Sequence, residues 1–142
     1  MAGNHLIYAA VPMGGRRWAD VLKDSRKAKK ILESYGFECW SPALKEVSEE
    51  TDERGLISTG PKGLAVYWEQ DKDALKKADA LVSIRGDLAS EGVGYEIGMA
   101  KWKYKIPVVV ISEYSVGRIT HLEATAVVRS YRAAAKLLKG LL

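Results

Sequence analysis

Short apolar runs set the limits on what this chain can fold into. They are His5-Leu6-Ile7-Tyr8-Ala9-Ala10-Val11, Phe37-Glu38-Cys39-Trp40, Ala80-Leu81-Val82-Ser83-Ile84 and Pro107-Val108-Val109-Val110-Ile111-Ser112. The first, third and fourth lack the alternation of a half-exposed strand, so they read as strands buried on both faces. Between the runs the period changes to that of a helix. Trp18, Val21, Leu22, Ala28, Ile31 and Leu32 form one amphipathic stripe from Trp18 to Tyr35, and Gly36 fits its C-terminal cap. Further helices are predicted over Leu64 to Ala78, Ile97 to Lys103 and Tyr131 to Leu141, with Ala126-Val127-Val128 as a fifth short strand. Val116 to Thr125 fits neither period. Strands alternating with helices predict an α/β fold: a doubly wound (flavodoxin/Rossmann-like) parallel five-stranded sheet, helices on both faces, one domain over residues 1–142.

Composition narrows the function. The chain has 142 residues, 22 basic and 18 acidic, for a formal charge of +4. Its densest basic stretch, Lys23 to Lys30, reads as a solvated helix face, so no nucleic-acid partner is expected. The small excess suits an anionic small molecule. One cysteine, Cys39, excludes an intrachain disulfide and fits a reducing compartment. The N-terminus lacks a charged start followed by an apolar stretch, and no apolar run could span a bilayer. A cytoplasmic protein without membrane association is expected. His5 and His121 are too few and too separated for a metal site, and no cofactor is implied.

In such sheets ligands bind at the carboxyl ends of the strands. There the chain places Val11-Pro12-Met13-Gly14-Gly15-Arg16, then Arg85 to Glu96, then Ser112 to Arg118. Within the second segment, Ser90-Glu91-Gly92-Val93-Gly94-Tyr95-Glu96 separates a strand from the helix predicted from Ile97. Gly92 and Gly94 let a ligand approach the backbone, and N–H groups at a helix start attract phosphate. Glu96 would stand beside that anion site, at the helix start. On the residues alone, bland readings stay open. Glu96 fits a first-turn carboxylate favoured by the helix dipole, and Asp71 a surface partner of Lys72 or Lys76. Tyr8 fits strand core, Asp79 marks a helix-to-strand turn, and Trp68 and Trp102 fit core or interface.

Taken together, Tyr8, Gly14-Gly15-Arg16, Glu69-Gln70-Asp71, Ala78-Asp79 and Ser90-x-Gly92-x-Gly94-Tyr95-Glu96-x-Gly98 resemble the nucleoside 2-deoxyribosyltransferase superfamily. The resemblance runs from about Leu6 to Arg118 and is nearest to the branch of 2′-deoxynucleoside 5′-phosphate N-hydrolases. It implies cleavage of the N-glycosidic bond of a nucleoside monophosphate, giving free base and sugar 5-phosphate. It implies Glu96 as nucleophile, Asp71 as acid or orienting group, and Tyr8 as the residue holding the nucleophile. Ser90 is implied as a phosphate ligand, with Met13, Gly14, Gly15, Arg16, Gly92 and Gly94 lining the substrate site. A homodimer is implied as well, with Trp68, Trp102 and Tyr104 offering apolar surface.

The chain departs from that branch in three places. Val11-Pro12-Met13 stands where the branch has a Gly-Ser pair and a further basic residue. His121, with Thr120 beside it, stands where the branch has a serine reaching a neighbouring subunit's phosphate. The segment from Ser41 to Gly63 carries no family motif and is expected to be a loop over the base. Transferases of the superfamily insert a polar C-terminal tail into a partner's site. Here the sequence ends Lys136-Leu137-Leu138-Lys139-Gly140-Leu141-Leu142, which favours a hydrolase. A base-exchanging transferase and a non-catalytic nucleotide-binding module are the alternatives.

Overall fold

The computed structural model describes residues 4–45, 61–88 and 90–142. Strands β1 (Leu6–Ala10), β2 (Glu38–Trp40), β3 (Ala80–Ser83), β4 (Val108–Ile111) and β5 (Ala126–Val128) form one sheet. Its order is β2-β1-β3-β4-β5 and every pairing is parallel. Helices α1 (Trp18–Ser34), α2 (Pro42–Lys45), α3 (Pro61–Lys77), α4 (Glu91–Gly98), α5 (Arg118–Glu123) and α6 (Tyr131–Leu141) connect the strands. The doubly wound architecture read from the sequence is the one observed. The strand order reverses between β1 and β3, where such folds open a crevice.

Each strand face supports its own core. Ile7, Ala9, Val11, Val82, Ile84 and Val109 pack with Val21, Ala28 and Leu32 of α1 and Ala134, Ala135 and Leu138 of α6. Tyr8, Ala10, Leu81, Val108 and Val110 face the other way, onto Ala74 and Leu75 of α3 and Val93 and Ile97 of α4. Each fully buried valine, leucine or isoleucine stabilises the fold by about 1.5–3 kcal/mol. Loss of apolar residues from one strand therefore weakens both layers. No helix among the described residues is long and apolar enough to cross a membrane.

Local signals fix the ends of the elements. The Gly36 N–H bonds the Glu33 carbonyl at 2.9 Å, and the Phe37 N–H bonds the Leu32 carbonyl at 3.1 Å. That pairing is a Schellman cap, with Gly36 at φ +88° and Phe37 meeting Leu32 in the core. Asp79 closes the amino-terminal side of the sheet. Its carboxylate accepts the Leu6 N–H at 2.8 Å, and its own N–H donates to the Leu6 carbonyl at 2.7 Å. Asp79 is thus a turn residue, remote from the carboxyl ends of the strands.

Boundaries differ from the sequence reading in four places. Pro42–Lys45 is a helical turn rather than loop, and α3 begins at Pro61 rather than Leu64. Residues 46–60 of the predicted loop lie outside the described residues. The ambiguous segment contains α5. The fourth difference matters most: α4 begins at Glu91, not Ile97. Ser90, at φ −149°, accepts the Val93 N–H at 3.3 Å, so a serine cap followed by glutamate starts the helix before the glycines. After Gly98 the helix widens into a π-helical segment, Met99–Tyr104. It ends where Lys105 turns left-handed and the Ile106 N–H bonds the Ala100 carbonyl at 3.0 Å.

Gly86, just past β3, lies against the sheet. A Cβ there would sit 2.3 Å from Val110 Cγ1 and 3.2 Å from Val116 Cγ1. Val110 is fully buried and β-branched, so it has little room to yield. Gly86→Ala should therefore destabilise the protein by about 1–3 kcal/mol, as overpacked cores do. Chemical denaturation would measure it, and a change within about 0.5 kcal/mol, the size of an ordinary surface substitution, would contradict the packing.

Candidate active site

Tyr8 occupies the middle of β1 and is fully buried on the α3/α4 side. A phenol placed among aliphatic side chains must find a hydrogen-bond partner or lose several kcal/mol of hydration. Its O–H donates to Glu96 Oε2, a bond between residues 88 positions apart in the chain. The bond holds the Glu96 carboxylate against β1 on the α3/α4 face of the sheet. Glu96 is half-buried and stands in the second turn of α4.

The expectation that Glu96 sits at the helix start is therefore corrected. The Ser90 cap places the start six residues earlier than expected, and Glu96 lies about 9 Å along the axis from the cap, at 1.5 Å per residue. Gly92 and Gly94 lie inside α4 rather than in a loop before it. A Cβ at either would meet nothing within 4 Å, so this chain's own packing does not demand glycine there. Gly92 precedes Glu96 by one turn on the same helix face, which leaves bare backbone leading to the carboxylate.

Asp71 comes from α3 and is half-buried. Burial pushes its carboxyl up to about 6. The Trp40 indole N–H, at the end of β2, draws it back part of the way. That N–H lies near the carboxyl without completing a hydrogen bond. Tyr8 pairs with Trp40 in the sheet register, so β1 and β2 bring the phenol and the indole to neighbouring positions. Trp40 was missed in the sequence reading. The available signal was an aromatic residue at the carboxyl end of a strand beside Tyr8.

An aromatic pair links the two helices that carry these carboxyl groups. Trp68 precedes Asp71 by three residues on α3, and Tyr95 precedes Glu96 by one on α4. Their ring centroids are 4.9 Å apart at 47°. Trp68 is 39% and Tyr95 46% exposed, so this pair offers π surface to solvent rather than filling the core. The Lys72 ammonium stands 5.8 Å from the Trp68 centroid.

The remaining predicted residues fall elsewhere. Ser90 caps α4, with its hydroxyl at the first-turn N–H groups. Met13 packs against the α1/α6 core. Gly14 and Gly15 form the turn after β1, closed by the Arg16 N–H on the Met13 carbonyl at 3.2 Å, with Gly15 at φ +72°. Arg16 is held on the α1 side. Its guanidinium reaches Asp24 at 2.5 Å and the Pro12 carbonyl at 2.8 Å. His121 falls on α5, and its side chain lies outside the described residues.

Chemically, the site combines a carboxylate steered by a phenol with a second carboxyl whose burial favours its protonated form. Two acids in different environments suit a reaction needing one nucleophile and one proton donor.

No protein-family model matches the sequence. No curated protein matches it either. Solved structures do match. The 2-deoxyribosyltransferase of Bacillus psychrosaccharolyticus superposes with a TM-score of 0.68 at 21% identity, over 92% of this chain and 90% of that one. A conserved protein of Enterococcus faecalis V583 gives 0.67 at 18% identity, over 99% and 100%. The CMP N-glycosidase BcmB of Clostridium botulinum gives 0.57 at 15% identity, over 94% and 98%. At these identities, what the chain shares with a 2-deoxyribosyltransferase and a CMP N-glycosidase is the fold.

Proposed function

We propose that this chain hydrolyses the N-glycosidic bond of (2′-deoxy)nucleoside 5′-monophosphates, with Glu96 as nucleophile. The observation that carries the reading is the Tyr8–Glu96 hydrogen bond, which holds a carboxylate of α4 beside β1. The raised Asp71 supplies the matching acid. The fold shared with a 2-deoxyribosyltransferase and a CMP N-glycosidase is consistent with it, as is the resemblance of Glu69-Gln70-Asp71 and Gly92-x-Gly94-Tyr95-Glu96 to that superfamily.

In the first step the bond from C1′ to the base nitrogen breaks. Its electron pair goes to the base, which takes a proton from Asp71. A Glu96 oxygen bonds to C1′ through an oxocarbenium-like transition state. In the second step Asp71, now ionised, takes a proton from water, and the water oxygen attacks C1′. The ester to Glu96 breaks, releasing sugar 5-phosphate and restoring the carboxylate. Tyr8 orients Glu96 through the cycle and acts on the substrate through it.

The start of α4 accounts for the phosphate. Its N–H groups and the Ser90 hydroxyl favour an anion there. The axial distance of about 9 Å from cap to Glu96 leaves room for a sugar laid across Gly92. Met13, Gly14, Gly15, Arg16 and His121 complete the substrate site in this reading, Arg16 while still paired with Asp24. Trp68 and Tyr95 offer the face on which a base stacks. A base-exchanging transferase would use the same first step and intercept the sugar with a second base. Two copies of the chain associate in the same proposal, with the exposed Trp102 in the contact. The lone Cys39 supports a cytoplasmic setting.

Incubation with nucleosides and nucleoside monophosphates, followed by chromatography, should show free base from a monophosphate without any acceptor base. Release only when an acceptor base is present would favour the transferase. Glu96→Gln keeps shape but loses charge, and should lower kcat at least about a hundredfold while leaving substrate binding within a few-fold. Near-normal turnover would remove Glu96 as nucleophile.

The pH dependence has a definite sign. Asp71 must be protonated to act as acid, so kcat/KM should fall with rising pH through an apparent pKa of about 6. Ionisation of the substrate phosphate in the same range acts oppositely, because the dianion binds better. Asp71→Asn should abolish the falling limb and keep the rising one. A falling limb that survives in Asp71→Asn would assign the acid to another group.

A further inference from the structure

On the other side of the sheet from Tyr8 and Glu96, a crevice of about 490 Å³ opens at the carboxyl ends of β3, β4 and β5, between α1 and α6. Its volume lies within the range of small-molecule sites. Lys27, Arg85, Arg129 and Arg132 converge on it from three separate parts of the chain. Three carboxylates line it as well, but two are already engaged. Asp24 holds Arg16 at 2.5 Å, and Asp87 stands 3.5 Å from Arg85. Glu113 is exposed at the rim. The crevice is left with a cationic excess, carried by Lys27, Arg129 and Arg132.

The backbone adds to that charge. Ser130 caps α6 by accepting the Ala133 N–H at 3.1 Å, so the first turn of an eleven-residue helix opens on the same space. Arg129 and Arg132 flank that cap. Arg85 is placed by a strained turn: it holds φ 54°, a left-handed conformation that non-glycine residues rarely adopt. The tight packing of Gly86 on Val110 anchors the turn. An apolar wall completes the crevice. Tyr131 is half-buried, with the Lys27 ammonium 4.7 Å from its ring centroid, and Ile31, Ile111 and the exposed Tyr114 lie beside it. Burial pushes the Tyr131 phenol up to about 12, so it remains an O–H donor at any physiological pH.

We propose that this crevice is a second binding site, for a small organic phosphate. The phosphate lies among Lys27, Arg129, Arg132 and the start of α6, and its planar body lies on Tyr131, Tyr114 and Ile31. Planar cationic forks and a compact ammonium together favour a phosphomonoester dianion over a carboxylate. The site is separate from the Glu96 chemistry and stands or falls independently of it.

The test uses 1-naphthyl phosphate, which has no N-glycosidic bond and so cannot be consumed by the proposed reaction. Titration of the full chain, followed by amide NMR shifts, should move Ser112–Tyr114 and Ser130–Arg132 saturably at submillimolar to millimolar concentration. Inorganic phosphate should bind the same amides more weakly, and 1-naphthol should leave them unmoved. Arg132→Glu and Lys27→Met should each weaken binding about tenfold, the loss expected for one charge-assisted contact. Both residues lie outside the Glu96 site, so base release should be unchanged in the variants, and their melting curves report folding. Should Arg132→Glu fail to fold, Lys27→Met decides. Shifts confined to Ser90–Glu96, equal response to 1-naphthol, no saturation at millimolar concentration, or unchanged affinity in the folded variants would each overturn the proposal.

Discussion

The hydrogen bond from Tyr8 to Glu96 ties the chemistry of this protein to its fold. Tyr8 lies at the centre of β1 among aliphatic side chains, where an unsatisfied phenol would destabilise the sheet. The carboxylate that satisfies it sits on α4, and α4 is pressed onto the same face by Val93 and Ile97. Loss of either partner would remove that bond from beside the core. The geometry of the candidate nucleophile is thereby maintained by the same packing that maintains the sheet.

That arrangement also divides the molecule. One sheet face, with α3 and α4, gathers Tyr8, Asp71 and Glu96, with Trp40 at the edge beside them. The other, with α1 and α6, gathers Arg16, Asp24, Arg85 and Tyr131. The crevice on the α1/α6 side opens at the carboxyl ends of the strands, where open parallel sheets bind ligands. The turn from Val11 to Arg17 passes between the two faces, and its Arg16 is committed to Asp24 on the α1 side. Strain is concentrated at the exit of β3, where Arg85 is left-handed and Gly86 is packed too tightly for a side chain.

Much of the fold was legible because its signals are local. Unalternating runs such as Val108–Ile111 specify strands covered on both faces, and Gly36 marks its helix end through a need for positive φ. The start of α4 is harder to read, because Gly92 and Gly94 suggest a turn, whereas the stronger signal is the Ser90-Glu91 cap. The site was less legible. Nothing in the spacing of Tyr8, Asp71 and Glu96 shows that they approach one face of a sheet, and only the resemblance to a known superfamily joined them. Trp40 escaped notice because its relation to Asp71 arises from β1–β2 register, which no local pattern encodes. Arg16 looked like a phosphate ligand by position. Its partner, Asp24, lies two turns along α1 and was hidden in an ordinary amphipathic pattern.

Glu96 as a covalent nucleophile is tested most directly by trapping the sugar on the enzyme. A 2′-fluorinated arabino nucleoside 5′-monophosphate disfavours the oxocarbenium-like transition state and slows release of the sugar by water. Intact-mass spectrometry of the protein after brief incubation should show addition of one fluorosugar phosphate. Peptide mapping should place it on Glu96, with stoichiometric release of base. Base release without any adduct, or an adduct on a residue other than Glu96, would contradict the mechanism.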